Sequence, residues 1–176
     1  DGTHVLGSPT ANDNCGIATF ISDAPSTFPV GITIVTWTIT DSAGNATTCS
    51  QQITVLDNQT PLVTCPPAIT VNNDLGLCGA TLVNIGNMNA SDNCGIANIV
   101  NDAPTSFPVG TTLVTWTVTD IHGNVITCAQ DIIVIDNEAP VVICMPDTVL
   151  YGAGSNCEAS LTLTIPAVTD NCGVQS

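Results

Sequence analysis

Self-similarity at a fixed offset constrains this chain more than any other feature. Asp13-Asn14-Cys15-Gly16-Ile17-Ala18 recurs as Asp92-Asn93-Cys94-Gly95-Ile96-Ala97, and Phe28-Pro29-Val30-Gly31 as Phe107-Pro108-Val109-Gly110. Trp37 maps to Trp116, Asp41 to Asp120, Gly44-Asn45 to Gly123-Asn124 and Asp57-Asn58 to Asp136-Asn137, every pair offset by 79 residues. A third copy opens after Asp136 and reaches Asp170-Asn171-Cys172-Gly173. A period of this length marks an array of small modules. The expected division is the C-terminal part of one module (1–56), a complete module (57–136) and the N-terminal part of another (137–176). This reads as a window on a longer repetitive chain. The alternative is a subunit that completes its half-modules by strand donation. It is weakened because 1–19 and 159–176 match the same part of the module.

The cysteines keep the period. Cys15 and Cys49 are 34 apart, as are Cys94 and Cys128; Cys65 and Cys78 are 13 apart, as are Cys144 and Cys157. The economical pairing is therefore Cys15–Cys49, Cys65–Cys78, Cys94–Cys128 and Cys144–Cys157, with Cys172 left over, although spacing alone does not fix connectivity. No Cys-x-x-Cys occurs and neither histidine stands at ligand spacing from a cysteine, so disulfides are favoured over a metal cluster. Disulfides persist in oxidising compartments, which places the protein at the cell surface or outside it. Loops of these lengths each stabilise by roughly 3–4 kcal/mol in the chain-entropy account. A module of about 80 residues, with its small core, has need of them.

Charge removes several functions. The chain has no Lys or Arg, 15 acidic residues and a formal charge of −15. Phosphate neutralisation requires cationic side chains, so nucleic acid is excluded as a partner, and so is an anionic membrane surface. Disorder is not expected, because 44% of the residues are hydrophobic and disorder requires few. No apolar run reaches the length of a membrane span. Any secretion signal is expected outside this stretch.

Hydrophobic periodicity predicts strands. Val114, Trp116 and Val118 alternate with Thr115, Thr117 and Thr119, and Val35, Trp37 and Ile39 with Thr36, Thr38 and Thr40. This is the pattern of a half-buried strand. A second strand is expected from Val125 to Ile135, joined to the first by a hairpin at Asp120–Asn124. Shorter strands are read at 62–65, 69–72, 79–85 and 96–100, between Gly, Pro, Asn and Asp turns. No helical period is present. Short strands with one core Trp per module predict tandem immunoglobulin-like β-sandwich modules, all-β and disulfide-stapled.

The set Asp-Asn-Cys-Gly, Phe-Pro-Val-Gly-Thr-Thr, Val-Thr-Trp-Thr-Val-Thr-Asp-x-x-Gly-Asn, Cys and Asp-Asn-x-x-Pro resembles the hyalin repeat (HYR) domain over the whole chain. The resemblance implies an immunoglobulin-like fold in extracellular adhesion proteins and large bacterial surface proteins. It implies no enzyme.

In such a module the loop carrying Asp92-Asn93, the hairpin from Asp120 to Asn124, and the incoming linker Asp57-Asn58 are expected at one pole. Asp136, Asn137, Glu138, Asp170 and Asn171 repeat the arrangement at the next junction. Hard oxygens in this number suit Ca²⁺. Two carboxylates about 5 Å apart repel by roughly 1 kcal/mol even in water, which a divalent cation would reverse. The competing reading makes these residues turn formers that bond nearby backbone, with Asp41 and Asp120 closing their hairpins.

Ser42 and Thr148, in Asp41-Ser42-Ala43 and Asp147-Thr148-Val149, match a short bacterial O-glycosylation pattern. The sequons at Asn45, Asn58 and Asn89 do not recur and are read as chance. His4 and His122 occupy non-equivalent positions, so no repeated Ser–His–Asp set exists, and His122 is expected on a solvated hairpin tip. The leading functional expectation is an extracellular stalk or filament built on neighbouring copies of the module, homopolymeric and stiffened by calcium. The alternative is an adhesin segment or accessory module that binds glycans or cell-surface proteins. The sequence contains no reactive constellation that would support catalysis.

Overall fold

The computed structural model describes residues 7–152 and 158–174. His4 and Cys157 lie outside them. The chain divides into two compact units, Asp1–Asn58 and Gln59–Ser176. It is all-β, and no helix among the described residues is long and apolar enough to cross a membrane.

In the first unit, β1 (Ile17–Ser22), β2 (Gly31–Asp41) and β3 (Ala46–Val55) form an antiparallel sheet in the order β1-β2-β3. Val35 and Ile39 are buried on β2. Trp37, expected in the core, is only half-buried. This unit's described residues form a single sheet, so no second sheet of the unit covers the ring.

The second unit is an immunoglobulin-like sandwich. Its strands are β4 (Leu62–Thr64), β5 (Ile69–Asn72), β6 (Gly79–Thr81), β7 (Asn89–Ser91), β8 (Ile96–Asn101), β9 (Ser106–Pro108), β10 (Gly110–Asp120), β11 (Val125–Ile135), β12 (Val141–Ile143) and β13 (Ala167–Thr169). One layer is the sheet β5-β11-β10-β8, in which β5 runs parallel to β11. The pairs β4-β7 and β6-β9 supply further sheet. The predicted alternation on β10 holds: Val114, Trp116 and Val118 are buried with Ile132 and Val134 of β11, Phe107 and Met88. Each fully buried side chain of this kind contributes about 1.5–3 kcal/mol. The third copy contributes the antiparallel pair β12-β13, which repeats β4-β7 one period on.

A polar strut ties the core together. Trp116 Nε1 donates to Gln130 Oε1 at 3.0 Å, and Gln130 Nε2 donates to the carbonyls of Pro67 (2.9 Å) and Ile85 (3.1 Å). Gln130 is 2% exposed. Its polar atoms all have partners, as burial demands.

The cystines differ from the expected pairing. Cys65 is bonded to Cys128 and Cys78 to Cys172, with Cα–Cα distances of 5.8 and 4.7 Å. The pairings Cys65–Cys78 and Cys94–Cys128 are therefore wrong, and Cys172 is not left over. Cys15 and Cys49 are exposed thiols not bonded to each other, and Cys144 is a third; its expected partner Cys157 is outside the described residues. The physical reason lies in the sandwich. Cys128 pairs with Trp116 across β10 and β11 and is buried in the core, where the end of β4 delivers Cys65 to it. Cys94 instead sits in the turn before β8. The two cystines close sequence separations of 63 and 94 residues, for which the chain-entropy account gives about 4–5 kcal/mol each.

Candidate functional site: the acidic junction between copies

Asp-Asn-Cys-Gly folds the same way in each copy. The Oδ1 of Asp13, Asp92 and Asp170 accepts the backbone N–H of the cysteine two residues on, at 2.7, 2.8 and 2.8 Å. This is an Asx turn, the local bond that the side chain length of Asp favours. In the second unit it joins β7 to β8. The amide of Ile121, on the β10–β11 hairpin, donates to Gly95 O at 3.2 Å and so brings the two loops together. Ser42 N repeats this bond to Gly16 O at 3.1 Å.

Asp120 closes its hairpin. Its Oδ1 accepts the amides of His122 and Asn124 (both 2.8 Å), and its Oδ2 accepts Asn124 Nδ2 at 2.6 Å. Asp41 does the same with Ala43 and Asn45. Burial of Asp120 disfavours its charged form. The bonds from the Asn124 side chain and from the amides of Asn124, His122 and Gly123 together outweigh that, and its carboxyl is held below the usual 3.8. For Asp41 the side chain and amide of Asn45 lower the pKa in the same direction.

Oxygen atoms nevertheless collect here. Carboxylate oxygens of Asp92 and Asp120 lie within 4.8 Å of each other, and so do those of Asp136 and Asp170. Asp57 and Asn58 close the first unit and are described with it. Asp92 Oδ2 and Asn171 Oδ1 are buried without a hydrogen-bond partner. Such atoms are rare in folded proteins, because each carries an unrecovered desolvation cost. The two fall in successive copies of the same Asp-Asn-Cys-Gly turn. Asn171 Nδ2 donates to Leu77 O at 2.8 Å, which fixes the amide and commits its other end to the orphaned oxygen. Asp136 and Asp170 thus bring carboxylate oxygens together beside this turn, the donor type that hard cations take. Cys172 Sγ lies within 4.8 Å of both acids, but it is held in a cystine and offers no thiolate.

Glu138 and the Asn137 backbone both bond the loop 73–78. Glu138 Oε1 accepts Asn73 Nδ2 at 2.9 Å and the Gly76 amide at 2.7 Å, while the Asn137 amide donates to Asn73 Oδ1 at 3.1 Å. Asp136 Oδ1 accepts the Glu138 amide at 3.1 Å. The linker into the third copy is thereby bolted to the loop 73–78 of the second. Asn73 was not singled out from sequence, because its only signal is its lie before a Gly-containing turn. Gln130 was equally silent, yet Gln51 stands 79 residues before it and bonds Trp37 Nε1 at 3.1 Å. His122 is exposed, and its ring lies within 4.8 Å of Cys94 Sγ, a proximity that sequence spacing hides. Ser42 and Thr148 are both exposed; their hydroxyls donate to Gly16 O and Pro146 O, each at 3.3 Å.

The HYR domain family matches twice in tandem, at residues 4–55 and 56–134. The chain belongs to the HYR domain family. It is 36% identical over 178 residues to hyalin of Strongylocentrotus purpuratus and 38% identical over 151 residues to hyalin of Lytechinus variegatus, covering 94% and 80% of this chain. It is also 32% identical over 171 residues to the sushi, von Willebrand factor type A, EGF and pentraxin domain-containing protein 1 of Mus musculus, covering 86% of this chain. The chain spans 15%, 28% and 4% of the lengths of these three relatives. Asp57, Asp92 and Asp120 fall within the second matched stretch, and Asp136, Glu138 and Asp170 follow it.

Proposed function

We propose that this chain is part of an extracellular structural array, a stalk or filament in which HYR modules follow one another and their junctions are stiffened by calcium. Its role is mechanical and adhesive, with no catalytic step. The observation that carries this reading is the junction in the second unit. There the front of the third copy is held to the module before it by a cystine and by Glu138, beside an oxygen cluster with an orphaned amide oxygen. Two features support an extracellular setting: the cystines, which persist in oxidising compartments, and hyalin relatives that share the repeat.

Asp136, Asp170 and Asn171 are the ligands this reading favours, with Asp92 and Asp120 as counterparts one copy earlier. Asn124 holds the Asp120 carboxylate, and the Asn137 amide and Glu138 hold the linker to the loop 73–78. A bound divalent ion neutralises carboxylates that no Lys or Arg is present to pair. A cation that binds only the folded state stabilises it by mass action. The calorimetric Tm of the intact chain is therefore expected to fall when EDTA replaces calcium, and to recover on adding calcium back. An unchanged Tm would remove calcium from the account.

A further inference from the structure

The cystine Cys78–Cys172 joins two different copies of the repeat, since Cys172 is the third copy's counterpart of Cys94. Around it the loop 73–78 is built as a socket. Asn73 is 9% exposed, and its Nδ2 donates to Leu77 O at 3.0 Å and to Glu138 Oε1 at 2.9 Å. Its amide donates to Ile135 O at 2.9 Å. Asp74 braces the far side of the loop, accepting the Thr81 amide at 2.8 Å and the Thr81 hydroxyl at 2.6 Å. The incoming copy fills the socket with Glu138 on one flank and Asn171, bonded to Leu77 O, on the other.

We propose that the loop 73–78 is the docking surface on which each HYR copy receives the next one in series, and that Cys78 then locks the two covalently. The lock forms as the thiols of Cys78 and Cys172 lose two protons and two electrons. A protein or low-molecular-weight disulfide accepts these and leaves as two thiols. The polar contacts position the copies, and the cystine makes the docking irreversible outside a reducing compartment. A corollary concerns Cys15, the first copy's counterpart of Cys172. It is an exposed thiol, open to alkylation in the folded chain.

The two methionines, Met88 and Met145, allow a direct test. The folded chain is alkylated with iodoacetamide and cleaved with cyanogen bromide in acid, giving fragments 1–88, 89–145 and 146–176. Without reductant the proposal predicts one linked species, because Cys65–Cys128 joins the first two fragments and Cys78–Cys172 joins the first and third. Release of 1–88 without reductant would mean pairing within each fragment and would overturn it. In Cys144→Ser, which removes the partner expected from sequence for Cys157, 146–176 is expected to stay linked without reductant; if it separates, Cys78 and Cys172 are not joined and the proposal fails. Cys15 is expected to carry the alkyl group, and an unlabelled Cys15 removes the corollary. The inference rests on reading the chain as serial repeats. The fragment map reports cystines whether or not the array binds calcium or forms a filament, so the two readings fail separately.

Discussion

Asp120 shows how one residue serves two roles in this module. Three donors from a five-residue hairpin bond its carboxylate, so its first duty is to close the turn, as the turn-former reading of the sequence holds. Its lowered pKa has a consequence for stability. Between the depressed folded value and 3.8, the unfolded chain binds more protons than the folded one. Stability from Asp120, and from Asp41 and Asp74, whose pKa values are also lowered, is therefore present above about pH 3.8 and lost as the pH falls through the folded values. Thermal melts below pH 4 are expected to show a falling Tm, and Asp120→Asn is expected to flatten that dependence while lowering Tm at pH 7. An Asp120→Asn variant with the wild-type pH profile would contradict the assignment. The Asp-Asn-Cys-Gly turns and this hairpin were readable from sequence because Asx turns are local. The partners of Asn73 and Glu138 were not, because they stand 65 residues apart and neither residue type carries a signal for a distant partner.

At the scale of the element, the long strands were legible and the short ones less so. The alternation of apolar residues and threonine on β10 marked the buried face because burial on one side of a sheet imposes a period of two. Strands of three residues such as β7 and β9 are too short to carry a period. The cystines were misread for a different reason. Any two positions in a repeat keep their spacing from copy to copy, so equal spacings of 34 and 13 show only that the copies repeat, not which sulfurs meet. What decides the bond is strand placement: β4 ends against β11, which brings Cys65 to Cys128 in the core. The buried strut from Trp116 through Gln130 belongs to the same scale. Gln130→Leu keeps the volume but strands the Trp116 N–H and the carbonyls of Pro67 and Ile85, and is expected to cost about 3 kcal/mol, at 1–3 kcal/mol for each buried group left without a partner and partly relieved by relaxation. Gln51→Leu, at the half-buried Trp37, is expected to cost less. Urea unfolding of both variants checks the order, and equal losses would contradict a role for burial.

The chain is a tandem of HYR repeats, and the proposed function rests on the boundary between copies. The core resembles that of many small sandwiches, whereas the boundary combines a cystine, a charge-assisted clamp at Glu138 and a cluster of acids that no cation of the chain offsets. A chain with 15 acidic residues and no Lys or Arg repels itself, which keeps chains soluble and favours extended arrangements. Calcium at the boundaries, as proposed, would remove that repulsion. Family and fold were legible because the repeat motif is specific, while the stapling between copies needed coordinates. The central claim is that serial copies make a stiff extended array. Electron microscopy of the native material tests it most directly. Unbranched strands with a regular axial period, loosening when EDTA and reductant are added together, are the predicted result; dispersed short particles, unchanged by that treatment, would contradict it.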